Sequence, residues 1–84
     1  MFLHVIDVRL TKNYELRVAF SNGVVKAVDL VGELHGEIFE PLKDPQLFKQ
    51  VRVNVETNTI EWPNGADFAP EFLYEIGREI KQVA

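Results

Sequence analysis

The chain has 84 residues, 46% of them hydrophobic and 26% charged, which is the composition of one compact globular domain spanning residues 1–84. It contains no cysteine, so disulfides, thiolate metal sites and cysteine nucleophiles are excluded. The net charge is −4, and the acidic excess lies in residues 56–84, where it disfavours contact with phosphate backbones. The N-terminal segment meets Asp7 too early for a signal peptide, and no stretch has the roughly 18 apolar residues of a membrane helix. We therefore expect a cytoplasmic protein without membrane association.

The first part of the chain predicts a three-stranded antiparallel meander. In residues 2–10, alternate side chains share a face: Phe2, His4, Ile6, Val8 and Leu10 on one side, Leu3, Val5, Asp7 and Arg9 on the other. Residues 14–20 alternate more cleanly, with these side chains inward: Tyr14, Leu16, Val18 and Phe20. An Asn-Gly pair at residues 22–23 then joins this strand to a third, residues 24–30, as a hairpin.

The middle of the chain predicts a short helix and a second hairpin. Residues 31–41 are irregular and indicate a loop with one helical turn. Asp44 as N-cap and Pro45 as first helical residue predict a helix, which the β-branched run from Val51 limits to one or two turns. Two short strands within residues 51–62 follow, and Ile60 and Trp62 share a face of the second.

Residues from Pro70 onward predict an amphipathic helix packed on the sheet. One apolar stripe at helical period contains Phe72, Leu73, Ile76, Ile80 and Val83. The solvent side carries Glu71, Glu75 and Glu79. Gly77 within this helix would cost about 1 kcal/mol relative to Ala, which indicates a close approach to the sheet. The expected fold class is α+β: one small antiparallel sheet, made of the meander and the second hairpin, with a short middle helix and this C-terminal helix.

The corner between the last strand and this helix combines turn residues with a tryptophan. Trp62, Pro63, Asn64 and Gly65 fit a turn with Pro second and Gly fourth. Asp67 lies where its carboxylate can approach the free N–H groups of the first helical turn. Turn formation accounts for every residue here except Trp62, which is either a core side chain or an exposed anchor for a partner. The sequence leaves both open.

No pattern of catalytic or metal-binding residues is present. The glycines are scattered at positions 23, 32, 36, 65 and 77, so they form no phosphate-binding loop, and His4 and His35 lack metal-ligand spacing. We therefore predict a protein that is not an enzyme, with no catalytic, cofactor-binding or metal site and no cofactor. A third-ranked alternative, a small-molecule-binding or enzymatic domain, would use a carboxylate near Asp29 or Asp67.

Three segments resemble successive signatures of a family of small uncharacterised bacterial proteins, domain of unknown function 2442. They are YELRVAFSNGVVKAVDL, IFEPLKDPQLFKQVRV and NTIEWPNGADFAPEFLY. The resemblance covers roughly residues 3–76 and implies a small α+β domain. It also implies pairing with a second small protein, in arrangements suggestive of toxin and antitoxin. The family often has Ser where this chain has Ala69, which leaves helix capping to Asp67 or water.

These observations favour an interaction module, the small partner of a bacterial toxin–antitoxin-like system, that binds another small and basic protein. The candidate surface is Trp62, Asn64, Gly65, Asp67, Glu71, Glu75 and Glu79. The alternative is a DNA-associated component of a transcriptional regulator, which would use the outward residues Arg9, Arg17 and Lys26, although so few dispersed cations do not favour direct nucleic-acid binding. A monomer and a homodimer both stay open, because an open sheet leaves two edges.

Overall fold

The computed structural model describes residues 2–81, which form two antiparallel sheets and short helices. The strands are β1 Val5–Lys12, β2 Glu15–Phe20, β3 Val25–Asp29, β4 Arg52–Asn54, β5 Thr59–Glu61 and β6 Arg78–Glu79. The α-helices are α1 Pro45–Phe48 and α2 Pro70–Ile76, and two turns of 3-10 helix cover Val31–Glu33 and Glu40–Lys43. Within residues 2–81, no helix is long and apolar enough to cross a membrane.

The larger sheet has the strand order β1-β2-β3-β6, and it contains the predicted meander. The inward face predicted for β2 is confirmed, because Leu16, Val18 and Phe20 are fully buried. One face of this sheet covers a single core, and the other faces outward. The core consists of Val5, Leu16, Val18, Phe20, Val28, Leu30, Leu34, Leu42, Phe48, Ile60, Trp62, Ala66 and Leu73.

A β-bulge changes which side chains of β1 face the core. Val5 lies opposite Phe20 while Asp7 lies opposite Ala19, so Ile6 is an extra residue on this strand. The alternation predicted from sequence placed Val5 on the same face as Asp7, and this is wrong. Val5 is buried in the core because the extra residue shifts the two-residue period at that point.

The second hairpin forms a sheet of its own instead of joining the first. β4 and β5 pair with each other, and their turn meets the large sheet through the Val5 N–H, which donates to the Asn58 carbonyl at 2.9 Å. The predicted single sheet is therefore wrong. Ile60 is fully buried in the same core as Leu16, so the hairpin packs against the inner face and does not extend the edge.

The middle helix is confirmed together with its cap. The Asp44 carboxylate accepts a 2.9 Å hydrogen bond from the Gln46 N–H, and Pro45 is the first residue of α1. The helix has one turn, as the β-branched run after it requires. The preceding region has two 3-10 turns where one helical turn was expected, and Leu34 and Leu42 from this region are buried.

The C-terminal helix is shorter than predicted. It ends at Ile76, Gly77 is extended with ψ 153°, and β6 then pairs with Lys26 and Ala27 of β3. The predicted continuation is wrong because the open edge of β3 competes for this segment: the Ile80 N–H donates to the Val25 carbonyl at 2.9 Å. The last residue of the predicted stripe, Val83, lies outside the described residues.

The close approach expected at Gly77 is confirmed, although the residue is not helical. A Cβ built there would lie 2.9 Å from the Lys26 Cβ, 3.0 Å from the Val28 Cγ2 and 2.9 Å from the Leu73 carbonyl oxygen. Only glycine therefore allows the backbone of this segment to pass so near to β3.

Candidate interaction surfaces

The corner after β5 is a tight hairpin turn. The Gly65 N–H donates to the Trp62 carbonyl at 2.9 Å, and the Trp62 N–H donates to the Ala66 carbonyl at 2.9 Å. Gly65 has φ +90°, in the left-handed region, so the predicted turn with Pro second and Gly fourth is confirmed. Beyond the turn, Glu61 and Asp67 form an isolated antiparallel bridge.

The β2–β3 turn has the same construction. The Phe20 N–H donates to the Val24 carbonyl, and Gly23 has φ +88°. In both turns the asparagine side-chain oxygen accepts a backbone N–H two residues later, Val24 for Asn22 and Ala66 for Asn64. Each turn is thus an aromatic-X-Asn-Gly unit whose aromatic residue is buried.

Trp62 belongs to the core. Its side chain is 1% exposed, and its indole Nε1 donates a 2.8 Å hydrogen bond to the Phe48 carbonyl. The question left by the sequence is therefore decided, because an exposed anchor must be accessible to a partner. The ring also packs against Phe48 and Phe68, with centroid distances of 5.5 and 6.0 Å.

Asn64 and Gly65 are exposed at the tip of the corner, but Asn64 has a structural role. Its amide nitrogen donates a 2.9 Å hydrogen bond to the Ile38 carbonyl, which fastens the turn to the loop before the second 3-10 turn. The Trp62 and Asn64 side chains of this corner therefore stabilise the fold more than they contribute to a projecting binding surface.

The acidic residues of the predicted surface separate into two places. Asp67, Glu71 and Glu75 are exposed around and along α2, but Glu79 lies in β6, opposite Lys26. The predicted helical row of three glutamates is therefore wrong at its last member, because the helix has already ended. Asp67 does not cap α2 either, since the N-cap Ala69 is extended and no side-chain hydrogen bond caps the helix.

A shallow cleft at the start of α2 brings this acidic region beside an exposed aromatic residue. It is lined by Phe2, Leu3, His4, Thr57, Asn58, Pro70 and Glu71. Phe2 is 84% exposed. Within residues 2–81, Asp67, Glu71 and Glu75 form no ion pair, whereas basic side chains lie beside four other carboxylates, those of Asp7, Glu15, Glu40 and Glu61.

The outer face of the large sheet carries a row of arginines. Arg9 lies opposite Arg17, Arg17 opposite Ala27, and Ala27 opposite Arg78. The row therefore has guanidinium groups on β1, β2 and β6, with Ala27 of β3 between the last two. Arg9 lies 3.6 Å from Asp7, and Arg78 lies 3.8 Å from Glu15. Each of these two cations therefore has a neighbouring carboxylate on the same face.

Lys26 is not on this outer face, contrary to the prediction. It lies opposite Val18, a core residue, and its ammonium group donates to the Tyr74 carbonyl and sits 3.8 Å from the Tyr74 ring centroid. A lysine can occupy such a position because its apolar stem packs while its head meets the end of a helix. Among the described residues, 2–81, no three His, Asp or Glu side chains are close enough together to hold a metal ion.

Comparison with known protein families finds a match. The sequence model of the family described as protein of unknown function, DUF2442, matches residues 5–79. The chain belongs to the DUF2442 family. No curated protein and no solved structure matches it.

The matched segment of this DUF2442 chain coincides with its two-sheet fold. It begins at Val5, the first residue of β1, and ends at Glu79, the last residue of β6. The short final strand therefore belongs to the family segment as much as the meander does.

Two features of this DUF2442 chain were not predicted from its sequence. Arg78 completes the arginine row, but it lies in the segment that was predicted to continue the C-terminal helix. The extra residue in β1 exposes Ile6 to 62%, and alternation alone gives no signal for a bulge. The available hint of the exposure of Ile6 was its position near the charged residues Asp7 and Arg9.

Proposed function

We propose that this DUF2442 chain is a cytoplasmic, non-catalytic protein-interaction module that binds a second small protein through the start of α2. The α2 surface is defined here as Phe2, Pro70, Glu71 and Glu75. The observation that carries the proposal is the exposure of Phe2, 84%, in a cleft that it shares with Glu71. An aromatic residue surrounded by polar groups is the arrangement found at the centre of protein interfaces.

The apolar part of this surface supplies binding free energy. Burying a Phe side chain contributes about 1.5–3 kcal/mol relative to leaving it in water. Pro70 lines the same cleft and adds apolar area without a conformational-entropy cost. A partner segment with one or two apolar side chains therefore fits the cleft.

The acidic part of the surface selects the partner's charge. Glu71 and Glu75 are one helical turn apart, are both exposed, and form no ion pair within residues 2–81. Such carboxylates attract a basic partner and raise its association rate, and they repel acidic competitors. The partner is accordingly a basic protein that presents an apolar side chain between its cations.

Support for a bacterial two-protein system comes from the family. The DUF2442 signatures of this chain resemble those of proteins found beside a second small protein, in arrangements suggestive of toxin and antitoxin. In this proposal the chain is the smaller, non-catalytic member of such a pair, and the α2 surface contacts the other member.

The test is capture of the tagged chain from a lysate of its own cells after nuclease treatment, with the mass of the recovered complex measured in solution. We expect one stoichiometric basic protein. Glu75→Lys and Phe2→Ser should each reduce its recovery. Glu37→Lys, at an exposed glutamate in the loop before the second 3-10 turn and with the same charge change, should not. Equal recovery with all variants, or no stoichiometric protein, would remove the proposal.

A second candidate function, nucleic-acid binding within a transcriptional regulator, is favoured by the arginine row alone. Arg9, Arg17 and Arg78 lie in line on one sheet face. Neighbouring carboxylates at Asp7 and Glu15 weaken its field toward phosphates. A gel shift at about 50 mM salt, where electrostatic binding is strongest, decides it. Binding lost in Arg17→Gln and kept in Lys49→Gln would favour this function, and no shift would exclude it.

A further inference from the structure

The open edge of the large sheet is formed by β1. β1 is the terminal strand of the order β1-β2-β3-β6. Within residues 2–81, one main-chain bond lies on its open side, from the Val5 N–H to the Asn58 carbonyl. No other main-chain hydrogen bond reaches this side of the eight-residue strand within residues 2–81, although the second hairpin also contacts β1.

The direction of the free backbone groups follows from the register. The Phe20 N–H donates to the Val24 carbonyl, so the backbone N–H and C=O of Phe20 point toward β3. The backbone groups of its neighbour in β2, Ala19, therefore point toward β1. Ala19 lies opposite Asp7, and Arg17 lies opposite Arg9, so Asp7 and Arg9 use their backbone groups to bind β2. Val8 and Leu10 consequently direct their N–H and C=O groups toward the open edge.

The side chains along this edge alternate between apolar and charged. Ile6 is 62% exposed and Leu10 is 41% exposed, and Val8 between them is half-buried. The charged side chains between them, Asp7 and Arg9, are 62% and 77% exposed and have opposite charge. The bulges on either side, between Val5 and Asp7 and between Leu10 and Lys12, limit a regular added strand to residues 7–10.

We propose that β1 binds β1 of a second copy of this chain, antiparallel, with the two-fold axis at Val8. Val8 then faces Val8 of the other copy and exchanges two backbone hydrogen bonds with it. Asp7 of each copy lies opposite Arg9 of the other. Every pair is either apolar with apolar or acidic with basic, and the two four-stranded sheets become one continuous sheet.

Neighbouring registers do not have this complementarity. An antiparallel pair must align residues whose backbone groups point the same way, so the axis passes through a residue and cannot fall between two. An axis at Arg9 places Arg9 opposite Arg9, and an axis at Asp7 places Asp7 opposite Asp7. An axis at Leu10 places Val8 opposite Lys12. The sequence of β1 therefore selects the Val8 register, and this inference is independent of the α2 surface.

The test is a charge exchange read by sedimentation equilibrium. The wild-type chain should sediment as a dimer at about 0.5 mM, a concentration that reveals association with a dissociation constant on the order of 0.1 mM. Arg9→Asp and Asp7→Arg each place like charges opposite one another twice and should raise the dimer dissociation constant about tenfold or more. The double variant, Asp7→Arg with Arg9→Asp, restores both pairs and should return close to wild type.

Lys49→Asp, an exposed lysine in the turn after α1, controls for net charge and should leave the dissociation constant unchanged. A mixed sample of isotope-labelled and unlabelled chains gives a second readout, in which nuclear Overhauser contacts between the Hα of Asp7 in one copy and the Hα of Arg9 in the other report the register directly. A monomer at the highest concentration, a double variant no better than the singles, or contacts in another register would overturn the proposal.

Discussion

The indole Nε1 of Trp62 donates a 2.8 Å hydrogen bond to the backbone carbonyl of Phe48, and the two rings pack with centroids 5.5 Å apart. Phe48 is the last residue of α1, and Trp62 directly follows β5. This contact therefore joins the single-turn helix to the second hairpin inside the core.

Replacing Trp62 with Phe should lower the free energy of unfolding by about 2–3 kcal/mol, because a buried hydrogen bond and part of the packed volume are lost. Urea unfolding measures it. Val55→Ala is the control, since that side chain is 82% exposed and its removal should change the free energy by less than about 0.5 kcal/mol. Similar values for the two variants would contradict the packing described here.

The two Asn-Gly turns should respond alike to alanine. Gly23 and Gly65 have φ +88° and +90°, where a Cβ is strained, although little or nothing lies near enough to clash with one. We expect Gly23→Ala and Gly65→Ala each to cost about 1–2 kcal/mol of stability. Gly32→Ala, at a glycine outside the left-handed region with open space around it, should be nearly neutral in the same unfolding experiment.

The predicted stability change of Gly77→Ala has one sign for the helix expected from sequence and the opposite sign for the observed structure. In a continuous helix, Gly77→Ala would stabilise by about 1 kcal/mol. Because the added methyl would lie 2.9 Å from the Lys26 Cβ, we expect a loss of about 1–3 kcal/mol instead. Hydrogen exchange of the Ile80 amide, which bonds to Val25, should accelerate at the same time. A variant more stable than the wild type would contradict this expectation and favour the longer helix that the sequence predicts.

Lys26 should behave as a structural residue. Its ammonium group donates to the Tyr74 carbonyl and lies 3.8 Å from the centroid of that ring. Lys26→Met should therefore lower stability by about 1–2 kcal/mol. Lys49→Met, at an exposed lysine, should have an effect below about 0.5 kcal/mol. Equal unfolding midpoints for the two variants would mean that the contact with Tyr74 contributes nothing.

Local patterns predicted most of the elements of this fold. Alternation located the meander, and the cap at Asp44 and the turn at Gly65 follow from side-chain chemistry that acts over a few residues. Helical periodicity failed as a predictor after Ile76, because the spacing of the glutamates and isoleucines in residues 71–80 fits a helix as well after Ile76 as before it. The competing partner, the edge of β3, is about fifty residues away in the chain and leaves no trace in a local window.

The candidate site was predictable only in part. Exposed Glu71 and Glu75 followed from helical spacing, but Trp62 and Lys26 are large amphipathic side chains whose burial depends on what packs against them. Phe2 drew attention as a strand residue and not as a surface residue, because its exposure is set by where β1 begins. Surfaces assembled from distant segments require the fold before they can be recognised.

The late position of β6 in the chain affects how the protein is made. Until residues 78–80 have been synthesised, β3 has no neighbouring strand on that side. The nascent chain therefore exposes the edge of an apolar strand that contains Val25, Ala27 and Val28, and other chains can pair with this edge. A protease that trims the chain at Gly77 recreates the same state in a finished molecule. Resistance to misassembly on the ribosome and to aggregation after trimming thus depends on the strand with the fewest residues.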